Sequence, residues 1–93
     1  MKTKNLIGSQ VRKLRYQRHM TQEELASKLQ VAGYDQTRGT LAKVEARLQW
    51  VGDFELFFYT KVLGVPLTDL FPPIDPQDER MYQTLHYYMT HRF

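Results

Sequence analysis

Cysteine is absent from this chain of 93 residues. That removes disulfide staples, thiolate metal sites and thiol nucleophiles together, and it leads to the expectation of a cytoplasmic protein. Long apolar runs are missing as well. The longest, Leu56-Phe57-Phe58-Tyr59, falls far short of the roughly 20 residues a membrane span needs, so no membrane partner is expected. No segment alternates apolar and polar residues over a strand's length, and no hairpin dipeptide occurs. There is no Gly-rich phosphate loop, no G-x-S-x-G elbow and no H-E-x-x-H. His86 and His91 stand five apart and diverge around a helix, with no carboxylate cluster to complete a metal set. No cofactor, no metal and no catalytic residues are expected, and the chain is not read as an enzyme. The first twenty residues hold six basic side chains without a continuous apolar stretch, so no signal peptide is readable. A chain this short supports one domain with one modest core.

What is present is an uneven charge. Lys and Arg number 13 against 10 acids, a net charge of +3. Residues 1–50 hold ten bases and four acids, a net of +6, whereas residues 51–93 hold three bases and six acids, a net of −3. A basic working half and a neutral or acidic support half follow, with a polyanion as the natural partner of the first.

Helical spacing dominates, so the fold class is all-α. Ile7, Val11, Leu14 and Arg18 mark one face of a first helix from about Asn5 to Gln17. Thr21 and Glu24 form a capping box for the second, whose stripe is Leu25, Leu29 and Ala32, with Gly33 as a left-handed end. A third helix starts near Thr37, with Leu41 and Val44 inward and Arg38, Lys43 and Arg47 outward. A fourth runs from Gly52-Asp53 to Leu63 and is stopped by Gly64. Pro66 suits the first turn of a short fifth helix ending at Phe71. Pro72-Pro73-Ile74-Asp75-Pro76 reads as a stiff linker, because each residue before a proline is pushed out of the helical region. A last amphipathic helix follows from about Gln77 to His91. The expected organisation is residues 1–71 as one domain, 72–76 as linker and 77–93 as a C-terminal helix.

Residues 21–47 resemble the helix-turn-helix of the Cro and lambdoid-repressor (XRE) family. Thr21-Gln22-Glu23-Glu24-Leu25-Ala26, then Thr37-Arg38-Gly39-Thr40-Leu41-Ala42-Lys43-Val44-Glu45, then Leu63-Gly64-Val65 match the family's elements in order, and the resemblance covers about residues 6–71. It implies a five-helix repressor-like domain that binds double-stranded DNA specifically, as a small transcriptional regulator. The helix from about Thr37 to Arg47 would enter the major groove, with Thr37, Arg38, Gly39, Thr40 and Lys43 offered to base edges. Thr21, Gln22 and Arg47 become phosphate candidates. The resemblance also implies a structural pair between Arg15 and Glu45 that ties the third helix to the first. Arg12 and Lys13 fall away from the anchor face and read as solvated.

The main departure from the family lies between the second and third helices, where Leu29 to Thr37 carries about five extra residues. There the second helix is expected to run on, Gly33 to end it and Tyr34 to fold down as a plug. Tyr34 or Gln36 could touch phosphate instead.

The fourth helix is apolar nearly all round, and such a helix needs cover on more than one side. The stripe Met81, Leu85, Tyr88 and Met89 is the obvious second wall, folding back as a lid or pairing with another subunit. Phe54 and Phe58 would share that surface. A homodimer and a lidded monomer both remain open, and so does a protein-interaction module or antitoxin that uses the aromatic half on a partner protein.

Overall fold

The computed structural model describes residues 3–73 and, beyond them, Gln77, Glu79, Gln83, His86, Tyr87, Thr90 and His91. Met81, Leu85, Tyr88 and Met89 lie outside the described residues, as do residues 74–76 of the expected linker. Four α-helices occur and no strand among the described residues: α1 (Gly8–Gln17), α2 (Gln22–Val31), α3 (Arg38–Glu45) and α4 (Asp53–Leu63). The expected fifth helix is a single 3-10 turn, Leu67–Leu70. Beyond Pro73, the described residues Glu79, Gln83, His86, Tyr87 and Thr90 have helical backbone.

Apolar residues at helical spacing meet in one core: Ile7, Val11 and Leu14 from the first helix, Leu25, Ala26 and Leu29 from the second, Leu41 and Val44 from the third. Tyr59, Leu63 and Leu70 close it from the C-terminal side. Each large buried side chain contributes about 1.5–3 kcal/mol relative to leaving it exposed. α3 packs on α1 and α2, while α4 packs on α2, on α1 and on the 3-10 turn.

The helix ends are explicit. Thr21 and Glu24 form the expected capping box, with Thr21 Oγ1 accepting the Glu24 N–H at 3.1 Å. At their C-termini α1, α2 and α3 all close with paired 6→1 and 5→2 hydrogen bonds, here Met20 to Arg15 and His19 to Tyr16, Tyr34 to Leu29 and Gly33 to Gln30, Leu48 to Lys43 and Arg47 to Val44. The residue at the turn has positive φ in each case: His19 (55°), Gly33 (110°) and Arg47 (64°).

Two expectations for α1 are corrected. It begins at Gly8, with Ile7 as the N-cap, rather than near Asn5, which stands outside the helix while its Oδ1 accepts the Gly8 N–H at 2.8 Å. Arg18 is exposed, not part of the inner face, because the helix has already ended there.

Candidate nucleic-acid interface

α3 is short, eight residues, and its inner and outer faces are sharply divided. Leu41, Val44 and Glu45 are buried, whereas Arg38, Gly39 and Lys43 are exposed. Gly39 and Lys43 are four apart and share the crest of the helix, and Arg38 stands at its first position. Among the described residues the side chains of Arg38 and Lys43 make no hydrogen bond or ion pair. Thr37 and Thr40 are differently placed. Thr37 is the N-cap: its Oγ1 accepts the Thr40 N–H at 3.1 Å and donates to Thr40 Oγ1 at 3.1 Å. Their hydroxyls thus serve the helix start first.

The inner side of α3 is held by polar groups. Glu45 is 7% exposed and Arg15 5% exposed, and they form a two-pronged pair, Nε to Oε2 at 2.8 Å and Nη2 to Oε1 at 2.9 Å. Gln22 Nε2 adds a third donor to Glu45 Oε1 at 3.2 Å, and Arg15 Nη1 donates to the Met20 carbonyl at 2.8 Å. The hydrogen bond to Glu45 holds the Arg15 guanidinium protonated beyond its already high pKa, against the opposing effect of burial. The charge is matched at every prong, which a buried pair requires.

The C-terminus of α3 is tied to the N-terminal segment. Asn5 Nδ2 donates to the Val44 carbonyl at 3.2 Å and to the Gln49 carbonyl at 2.8 Å, so one amide accepts the first N–H of α1 and satisfies carbonyls of α3 and its loop. Lys4 N–H donates to the Arg47 carbonyl at 2.9 Å, and Arg47 Nε donates to the Asn5 carbonyl at 3.3 Å. Gly8 allows this approach: a Cβ there would overlap the Val44 carbonyl. Arg47, a phosphate candidate by sequence, is therefore a half-buried clasp, and α3 ends at Glu45, short of it.

Between α1, the start of α2 and α3 opens a cleft of about 580 Å³. Arg38, Ala42 and Ala46 form one wall, the small alanines leaving room, and Arg12 and Tyr16 form the opposite one. Thr21, Gln22 and Glu23 bring the N-terminus of α2 to it. The Gln22 and Glu23 N–H groups have no partner among the described residues, which is the usual state of a helix start and suits an anion. Tyr16 lies against two cations, 4.6 Å from Arg15 and 5.5 Å from Arg12. Hydrogen bonding to Arg12, then to Arg15, lowers its pKa below that of an ordinary phenol. Once Arg15 is matched by Glu45, the cleft retains Arg12 and Arg38 against Glu23. Arg12 is exposed, as expected for a solvated residue, and also lines the cleft; nothing in the sequence marks Tyr16.

No family model, curated protein or solved structure matches the chain. The functional reading therefore rests on geometry and chemistry.

The segment of extra residues between α2 and α3 is structural. Tyr34 is half-buried and stacks on Phe58 at 5.6 Å, with Tyr59 edge-on at 6.2 Å. Gln36 is 1% exposed, and its Oε1 accepts the Tyr59 hydroxyl at 2.8 Å. Gln30 Nε2 donates to the Gln36 carbonyl at 2.9 Å and closes the loop. Gln36 is thus a core residue and not a phosphate contact. Burial pushes the Tyr59 and Tyr34 phenols well above their ordinary range, Tyr34 with help from the nearby Glu55.

The aromatic face is split in two. Phe58 turns inward under Tyr34, so it is not part of a free surface. Phe54 is 82% and Phe57 61% exposed.

Proposed function

We propose that this protein is a repressor-like helix-turn-helix protein of the Cro/XRE type, which reads double-stranded DNA with α3 as a small transcriptional regulator. The observation that carries this is the outer face of α3. Two cations whose side chains have no partner among the described residues, Arg38 and Lys43, flank a glycine on a helix whose inner side is anchored by three separate polar devices. A firmly anchored helix that presents free donors on its outer face suits groove recognition. Arg38 and Lys43 can donate to guanine O6 and N7, Arg through two N–H groups. Gly39 supports the same reading. A Cβ at this position would meet nothing closer than Thr37 Oγ1 at 3.9 Å, so packing does not demand glycine there. A helix glycine costs about 0.5–1 kcal/mol relative to Ala, and close approach of a partner would account for it.

The cleft beside α3 supplies the phosphate contacts. The Gln22 side chain is committed to Glu45, so its share is the backbone N–H at the helix start, alongside Arg12. Thr21 contributes by shaping that start through its cap. The bare phenyl groups of Phe54 and Phe57 favour a protein contact in addition, as an antitoxin or an interaction module would make.

Binding of the full chain to a random pool of duplexes, followed by titration of selected sequences at several salt concentrations, tests the proposal. Affinity should fall steeply with salt. Arg38→Ala should cost about 1–3 kcal/mol on the selected site and relax preference at one base pair. Equal loss on every sequence would reduce Arg38 to a phosphate contact. Absence of salt-dependent duplex binding would leave the protein-interaction reading.

A further inference from the structure

The outer face of α4 carries a pattern that the DNA reading does not use. Asp53, Phe57 and Lys61 stand at i, i+4 and i+8, all exposed, with Phe54 beside them. The buried residues Tyr59 and Leu63 lie on the opposite side, which puts Phe57 at the centre of the bare face. Phe57 is held in place, its ring edge-on to Phe58 at 5.7 Å. Among the described residues Asp53 and Lys61 form no ion pair, and the Asp53 carboxylate accepts only the adjacent Phe54 N–H, at 2.9 Å.

We infer that this face binds a second copy of the chain, with two α4 helices packed antiparallel about Phe57. The face is complementary to itself. Four residues on either side of Phe57 is about 6 Å along the axis, with an acid at one end and a base at the other. An antiparallel pair related by a two-fold axis at Phe57 sets each Asp53 at the height of the other copy's Lys61 and brings Phe57 against Phe57. A parallel pair would set like charges together at both ends. A two-fold contact needs one patch that matches its own inverse, and this stripe does. Because Phe57 and Phe54 form a small apolar centre, the pair is weak, with a dissociation constant on the order of 10 µM or above.

Sedimentation equilibrium of the full chain without DNA, from about 10 µM to about 1 mM, tests this independently of any duplex binding. The native chain should pass from monomer to dimer. Phe57→Asp places two carboxylates on the axis and should leave only monomer. Lys61→Glu should weaken association by about tenfold, and the exchange Asp53→Lys with Lys61→Glu should restore it. Far-UV circular dichroism confirms that each variant, altered only at exposed positions, keeps its helices. A native chain monomeric throughout would overturn the inference, whatever the variants do, and would leave the face to a different partner. So would a dimer that survives Phe57→Asp, or an exchange that stays as weak as the single reversal.

Discussion

α3 and α4 are both helices of this small core, and they are secured in opposite ways. α3 is held by directional bonds: the Arg15–Glu45 pair, Gln22, and the Asn5 amide at its end. Among the described residues, α4 is held by rings and aliphatic groups, with a buried polar link between Tyr59 and Gln36. Buried ion pairs add little stability relative to apolar residues of the same shape, but they define orientation. The helix proposed to meet a groove is thus the one whose direction is specified, and the helix with a bare apolar face is the one secured by less directional packing.

The comparison can be broken most forcefully at Glu45. Glu45→Ala leaves the Arg15 charge buried without its partner and should destabilise by about 3–5 kcal/mol, measured by urea unfolding. Lys61→Ala, on the outer face of α4, should stay within about 0.5 kcal/mol. Comparable losses at the two sites would erase the contrast.

The buried polar link between α4 and Gln36 comes next. Tyr59→Phe removes the donor to Gln36 Oε1 and should cost about 1–3 kcal/mol. It should also change the response to alkali. The folded state keeps the Tyr34 and Tyr59 phenols protonated, whereas unfolded phenols ionise near pH 10. Stability from this preference is complete below about pH 10 and falls as the pH rises beyond it, by up to about 1.4 kcal/mol per unit for each phenol. Tyr16, whose pKa is shifted downward, works in the other direction at a solvent-screened site. Tyr59→Phe should flatten the alkaline decline seen by circular dichroism, and an unchanged slope would place its origin elsewhere.

The smallest effect separates the helix ends. α4 stops at Gly64 with φ 67°, and α1 stops through His19 with φ 55°. A non-glycine residue in this region costs roughly 1–2 kcal/mol, and His19 is exposed. His19→Gly should therefore raise the thermal midpoint, by about 0.5–1 kcal/mol in stability after the added freedom of the unfolded chain is counted. A lower midpoint would mean that His19 makes a contact beyond its backbone.

Much of the architecture was legible where signals are local. The Thr21–Glu24 cap, the Gly33 end, the span of α4 and the inward Leu41 and Val44 all follow from short-range chemistry. The Arg15–Glu45 pair came through the resemblance to the repressor family. Asn5 and Gly8 were not legible, because their value lies in carbonyls some 40 residues away in the chain, and nothing near them in sequence marks it. Gln36 in a polar loop reads as solvent-facing until Tyr59 is placed beside it. Tyr34 and Gln36 also supply part of the cover for α4 that the stripe at Met81 was expected to give, because the widened turn brings them onto it.

Gly39→Ala tests the central claim most directly, since it separates what the protein needs from what a ligand needs. Within the protein a Cβ at position 39 has room, and the helix gains propensity. Stability should rise by about 0.5 kcal/mol, while affinity for the selected duplex falls by about 1 kcal/mol or more, roughly fivefold. An affinity that is unchanged or improved alongside the gain in stability would contradict the account of α3 as the surface that reads DNA.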